Sequence, residues 1–328
     1  MREEERYADR RLWKEVARTV FYRTPFLHHL INSIRPAWQG YTTRVRLQET
    51  RIKLYRLKAG GLQTPPRPTP RLIVSLSSHP PRIRQIYAAI YTLLTQSLKP
   101  DAVLLWLAEE EFPHKEYDLP DELLHLCQCG LSIRWCENLN SRKKIIPALR
   151  DYPEDILVIA DDDMMYSPDW LEGLFSAYQK RPTCIHARTV YRSFVGGEFY
   201  HWVRHGPFLE VDKDEEPSLL YVPSTSSGVL YPPHTLHDDV FRMDIASKLA
   251  PYDEETWCWV MAIRKGTKIH VLERGWKDLK QLYLSHPVSG SPMGRFVRQS
   301  SAVIQAYPEV LDLLKEEERA MPSALSWR

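Results

Sequence analysis

Downstream of residue 70 the chain alternates between short aliphatic runs and segments in which apolar residues recur every three or four positions. The run "RLIVSLSS" (71–78) predicts a buried strand ending in small polar residues, and "IRQIYAAIYTLLTQS" (83–97) has the period of a helix. "DAVLLWLAEEEF" (101–112) predicts a second strand running into acids, "LPDELLHLCQCG" (119–130) a helix stopped by glycine, and "LSIRWCEN" (131–138) a third strand. "KKIIPALRDYP" (143–153) predicts a helix, and "DILVIADDD" (155–163) the fourth strand. This succession predicts an α/β protein, with a Rossmann-like, mostly parallel sheet and helices on both faces. Ligands of such sheets bind beyond the carboxyl ends of the strands. Ser75 to Ser78, Glu109 to Glu111 and Asp161 to Asp163 all fall at strand ends, so they are expected to gather at one site.

The pattern upstream is different. Leu12, Trp13, Val16, Ala17, Val20 and Phe21 recur at helical spacing, with Lys14, Arg18 and Arg23 toward the opposite side. Phe26, Leu27, Leu30, Ile31 and Ile34 continue the apolar pattern beyond Thr24-Pro25, a natural kink or restart. "GGLQTPPRPTP" (60–70) combines glycines with four prolines, which neither a helix nor a central strand accommodates, and predicts a linker or domain edge. The expected division is therefore a basic, mainly helical appendage over 1–66 and a larger α/β domain with a C-terminal helix over 67–328.

Charge supports that division. Residues 1–70 hold 15 Lys and Arg against 6 Asp and Glu, a net of +9, whereas the rest of the chain carries −7 within a total of +2. The appendage is expected either to pack on the larger domain or a partner subunit, or to attach to an anionic membrane surface. No nucleic-acid-binding motif accompanies the charge, so no nucleic acid is expected. A chain of 328 residues, 43% hydrophobic and 26% charged, is ordinary for a soluble globular protein. "MREEERYADRR" is charged where a secretory signal needs an apolar core, and no run approaches the roughly 18 apolar residues of a span, so a cytoplasmic location is expected, with the inner face of the membrane compatible. Five irregularly spaced cysteines suit a reducing compartment, and Cys127, Cys129 and Cys136 lack a fourth spaced ligand for zinc.

Asp161, Asp162 and Asp163 pose a chemical problem, because adjacent carboxylates in a half-buried place raise one another's pKa. A divalent cation relieves it, and hard oxygen ligands favour magnesium or manganese. The alternative is a structural acidic turn, since Ser167 and Pro168 read as the N-cap and first residue of a helix. Neither a G-x-x-x-x-G-K-[ST] loop nor a G-x-G-x-x-G after the first strand is present, which argues against a P-loop NTPase and a typical dinucleotide oxidoreductase. An aspartyl-phosphate phosphatase would carry its D-x-D on the first strand.

Five segments, "LIVSLSSHPPRI", "QSLKPDAVLLWLAEEEFP", "KKIIPALRDYPEDILVIADDDMMYSPDWLEGL", "SSGVLYPP" and "PYDEETWCWVMAIRKGTKI", follow in order the pattern of bacterial glycosyltransferases of the GT-A fold, family 2-like. The resemblance covers about residues 71–307. It implies a sugar transferase of cell-surface or capsular polysaccharide synthesis, with a nucleotide-sugar donor (a UDP-sugar favoured), Mn2+ or Mg2+, and an oligosaccharide or lipid-linked glycan acceptor. By the same resemblance Asp161 faces the ribose and the metal, Asp163 ligates the metal, and Asp162 takes either role. Ser75 and Ser77, with the turn to Arg82, hold nucleobase and ribose; Glu109 accepts a base N–H; Lys143 and Lys144 contact the diphosphate; Gly228 lets the backbone approach the sugar. Glu255 is the expected general base of an inverting transfer and Glu254 its positioning group, where the group usually has Asp-Asp. His286 is a candidate distal metal ligand, Arg295 and Arg298 candidate diphosphate contacts, and Trp202 either an acceptor platform or a core residue. Two rival readings are a non-catalytic glycan-binding subunit and a nucleotidyltransferase.

Overall fold

The computed structural model describes residues 25–58, 60–193, 216–272, 279–282, 299, 300 and 302–320. The chain forms two compact units, one ending at Glu49 and one running from Thr50 onward. The amphipathic segment of residues 12–21, and Trp202, His286, Arg295 and Arg298, lie outside the described residues.

Helix α1 (Pro25–Leu54) is 30 residues long, and its Trp38 and Tyr41 rings stand 6.0 Å apart. None of the described helices is long and apolar enough to cross a membrane.

The larger unit is built on a seven-stranded sheet. Strands β1 (Leu72–Ser77), β2 (Ala102–Ala108), β3 (Leu131–Cys136) and β4 (Ile156–Ile159) are the four that the aliphatic runs predict. Three short later strands join them, β6 (Ile185–Ala187), β9 (Val229–Tyr231) and β10 (Ile269–Val271), in the order β3-β2-β1-β4-β9-β6-β10. All are parallel to one another except β9, which runs antiparallel between β4 and β6. Leu72, Ile73, Val74 and Leu76 of β1 and all of β4 are buried, as central parallel strands covered on both faces must be. The order reverses between β1 and β4, and their carboxyl ends flank the crevice where ligands of open α/β sheets bind. Among the described residues two small antiparallel pairs lie outside this sheet: β5 (Met164–Met165) with β11 (Lys280–Gln281), and β7 (Val190–Arg192) with β8 (Tyr221–Pro223).

The connections differ from the sequence pattern in instructive places. The helix expected over 83–97 is shorter, α2 (Tyr87–Leu94), because residues 79–86 form successive turns such as Arg82 N–H to His79 O. The helix expected from residue 143 is preceded by a tight turn, Asn140–Lys144, and only then becomes α4 (Ile146–Asp151). Ser167 does not cap the helix after the aspartates. Helix α5 (Trp170–Lys180) starts three residues later; the Ser167 carbonyl accepts from the Trp170 N–H and from Gln96 Nε2, while its hydroxyl has no partner. Helix α3 (Asp121–Gln128) lies before β3, with α6 (Met243–Leu249), α7 (Glu254–Lys265) and α8 (Pro308–Ala320) later in the chain. The proline-rich stretch belongs to the larger unit and is tied to it: Gly61 N–H donates to Cys129 O, Gln63 N–H to Pro100 O, and Arg67 to the Asp101 carboxylate.

Candidate active site

The aspartate triplet begins where β4 runs out. Ala160 keeps β1 pairing through its N–H to Ser75 O at 3.0 Å, and the chain then turns, with Asp161 N–H donating to the Tyr166 hydroxyl at 2.7 Å. Asp162 points back toward the end of β1, accepting from Ser78 Oγ at 2.7 Å and from the Arg82 guanidinium at 2.6 Å. Asp163 stands further from that guanidinium, at 3.5 Å. Asp161 takes the ammonium of Lys144 at 2.5 Å.

Lys144 joins the triplet to the second acidic group. Its buried Nζ also contacts Glu254 Oε1 at 2.6 Å and Thr225 Oγ1 at 3.1 Å. Glu254 opens α7, whose N-terminus Asp253 caps by accepting from the Thr256 N–H and hydroxyl. Trp257 and Trp259, both fully buried, fix that helix through indole N–H bonds to Val240 O and Leu219 O. The acids at its start are therefore held on a rigid element. Glu255 is positioned by donors without charge, the Thr225 N–H at 2.6 Å and the Ser224 hydroxyl at 3.1 Å.

The electrostatics of the five carboxyl groups follow from this layout. Burial opposes the Glu254 carboxylate, but the Lys144 ammonium outweighs it and holds the pKa below the usual value. Burial also opposes the Lys144 charge, and Asp161 and Glu254 together push its pKa well above the ordinary value. Among the described residues no cation pairs with Glu255. Burial, then Glu254 and Asp253, push it up to about 8. Asp163 is pushed up to about 7, by burial first and then by Asp161. Each cluster thus contains one carboxyl group that its surroundings keep near neutrality.

The remaining expected residues are distributed unevenly. Ser75 lies inside β1, fully buried, its hydroxyl donating to Lys144 O at 2.6 Å and accepting from the Trp106 indole at 3.1 Å. It supports the turn that carries Lys144. Ser77 closes β1 and is half-buried beside that crevice. Glu109 is exposed and pairs with Lys115, whereas Glu111 two residues on takes the buried ammonium of Lys143 at 2.5 Å. Gly228 has φ +103°, and a Cβ there would meet the Trp170 indole at 2.5 Å. It permits a backbone approach to Trp170, whose Nε1–H donates to Ser227 O and thereby clamps the Thr225 turn.

Several residues of the site carry no sequence signal. Arg142, almost fully buried, donates to Ala250 O at 2.5 Å and Ser247 Oγ at 3.3 Å, pinning the loop that leads to Glu254. Thr225 contacts both glutamates and Lys144. Among the described residues no cluster of three or more His, Cys, Asp or Glu is arranged as a ready-made metal cage.

No family model matches the chain, and no curated protein matches its sequence. Among solved structures it is similar to mannosyltransferase PcManGT from Pyrobaculum calidifontis in complex with GDP-Man and Mn2+: 13% identity, 88% of this chain and 87% of that one covered, TM-score 0.39. It is similar to S. aureus TarS 1-349, at 11% identity with 78% and 73% covered and a TM-score of 0.42. The same protein in complex with UDP gives 8% identity, 78% and 73% coverage and a TM-score of 0.40.

Proposed function

We propose that this chain is a GT-A-type glycosyltransferase that moves a sugar from a nucleotide-sugar donor to a glycan acceptor with the help of a divalent cation. One observation carries the reading: at the crevice between β1 and β4, a single buried ammonium, that of Lys144, bridges the aspartate triplet and the glutamate pair. Such a transfer needs a place for a diphosphate leaving group and, next to it, a base for the acceptor. The two acidic groups supply one each.

The donor set fits a divalent cation. Among the described residues Asp161, Asp162, Asp163 and Glu254 pair with two cationic side chains, Lys144 and Arg82, and burial first, then the neighbouring carboxylates, raise the pKa of Asp163 and Glu255. All the donors are oxygens, which suits Mg2+ or Mn2+. Asp163, with Asp161, would hold the ion, and a bound ion there would neutralise the departing diphosphate. The ribose and base would lie toward Ser77 and the His79–Arg82 turn. Glu111, through Lys143, is better placed than Glu109 to define that side of the pocket.

On the acceptor side, Glu255 is the general base and takes the proton of the attacking hydroxyl. A pKa of about 8 is close to an ordinary working pH, where a base is both available and strong enough to act. Glu254, held by Lys144, keeps the helix terminus and the ammonium in register. A base on the acceptor side and a leaving group on the other favour inversion at the anomeric carbon, and an oligosaccharide or lipid-linked glycan of a surface polysaccharide is the acceptor we favour. A thermal-shift screen of UDP, GDP, CMP and dTDP and their sugar conjugates, with Mn2+, Mg2+ or EDTA, tests the reading. A metal-dependent stabilisation by one nucleotide is expected. Stabilisation by glycans alone, with no nucleotide effect, would favour a binding subunit, and release of pyrophosphate in turnover would favour a nucleotidyltransferase.

A further inference from the structure

Helix α1 has two unlike sides. Thr43, Thr50 and Leu54 are buried and fall on one of them. Trp38, Tyr41, Val45 and Ile52 are spaced three, four and seven residues apart, so they share one side of the helix away from the buried positions, with the exposed Gln48 and Glu49 filling the turn between Val45 and Ile52. They are exposed, by 64%, 61%, 37% and 53%. An aromatic pair followed by aliphatic residues on one exposed stripe is more than the single surface apolar residues that folded proteins commonly show.

Charge identifies what such a stripe can meet. Over its 30 residues α1 carries Arg35, Arg44, Arg46, Arg51 and Lys53 against Glu49 alone. Arg44 precedes Val45 on one flank of the stripe and the exposed Lys53 lies on the other; Arg51 pairs with Glu122 yet keeps over half of its side chain in solvent. Two copies of this helix laid stripe to stripe would bring like charges together along both flanks, which opposes self-association. A surface of anionic headgroups complements both features, since Trp and Tyr rings settle at the headgroup level and Arg and Lys meet the lipid phosphates.

We propose that α1 lies in the plane of an anionic lipid surface, with Trp38, Tyr41, Val45 and Ile52 toward the acyl chains. The helix rests on the bilayer and does not span it, being neither apolar enough nor free of charge. This places the chain at a membrane whatever its catalytic activity proves to be.

The test uses the full chain in co-sedimentation with two kinds of vesicle, phosphatidylcholine alone and phosphatidylcholine mixed with phosphatidylglycerol. The chain is expected to pellet with the anionic vesicles only, to be released by added salt, and to lose about tenfold or more in partitioning as the Trp38→Ala/Tyr41→Ala double variant. Both positions are exposed, so the variant's melting temperature is expected to match the parent's. A second variant, Arg44→Gln/Lys53→Gln, should weaken binding and flatten its salt dependence. Failure to pellet with anionic vesicles, equal pelleting with both kinds, or unchanged binding by the aromatic variant would overturn the proposal. So would sedimentation equilibrium showing a dimer that the aromatic variant dissolves, because the stripe would then belong to a second copy.

Discussion

The aspartate triplet and the glutamate pair look alike in the sequence and differ in what satisfies them. In both, part of the acid is compensated by a buried or half-buried cation: Lys144 and Arg82 on Asp161 and Asp162, Lys144 again on Glu254. In both, one carboxyl group is left near neutrality, Asp163 at about 7 and Glu255 at about 8. The difference lies in the remaining partners. Asp163 is surrounded by other charges, so a further cation would relieve it. Glu255 is held by an N–H and hydroxyls, so it has a fixed place and an exchangeable proton. On the proposed reading, the same upward shift would mark a metal ligand in one case and a base in the other.

The sharpest way to separate the two is Glu255→Gln. It keeps the shape and the Thr225 N–H contact and removes only the basicity, so transfer is expected to fall by about 10²- to 10⁴-fold while nucleotide binding, measured by calorimetry, is unchanged. Equal loss of binding would mean that the two groups are not separate in function.

Lys144→Met removes the link itself. Asp161 and Glu254 would then be buried beside an apolar side chain, and a loss of about 3–5 kcal/mol is expected in urea unfolding. Lys144→Arg should recover part of that stability. A melt unchanged by Lys144→Met would show that the bridge is not formed in solution.

Two of the three raised carboxyl groups, Asp163 and Glu255, span the widest part of the pH dependence of stability, and Asp253, pushed up to about 6 by burial, adds to its lower part. Each binds its proton more tightly in the folded state, so its contribution is fully present below its unfolded pKa, 4.5 for Glu255 and 3.8 for Asp163, and is lost as pH rises through about 8 and about 7. Without added metal the parent is expected to lose stability between about pH 4 and pH 8. The slope from each group is about 1.4 kcal/mol per pH unit between its unfolded and folded pKa, less whatever solvent screening removes. Asp163→Asn should flatten the lower part of that slope and Glu255→Gln the upper part.

A smaller effect distinguishes helix capping from electrostatics. Asp253→Ser retains a capping oxygen for the Thr256 N–H but removes one of the charges that raise Glu255. Stability should fall by about 1 kcal/mol, for the lost bond from the buried Thr256 hydroxyl, and the acid limb of the rate profile should move to lower pH. A profile that stays in place would remove Asp253 from the electrostatics of the proposed base.

How much of this was legible beforehand depends on the range of each interaction. The four aliphatic runs predicted β1 to β4 because a strand buried on both faces must be apolar throughout, and "ILVI" before three aspartates can end a strand in few other ways. The strands β6, β9 and β10 have three residues each, too short for a periodic signal, and the reversal of β9 depends on a pairing partner 70 residues away. Lys144 was visible as a basic residue near the site, but its partners at positions 161, 225 and 254 come from three separate elements. Glu109 and Glu111 cannot be told apart in a run of glutamates until a 3-10 turn aims one outward and the other at Lys143. Ser75 reads as the end of a strand, and only the sheet register shows it enclosed.

The most direct test of the shared site is calorimetric titration of the full chain with UDP and with GDP, in Mn2+ and in EDTA, at pH 6 and pH 8, for the parent and Asp163→Asn. The account predicts that one nucleotide binds only with the metal, more tightly at pH 8 than at pH 6 because the Asp163 proton must leave, and that Asp163→Asn abolishes the metal dependence. Binding equally strong in EDTA, or untouched by Asp163→Asn, would contradict it.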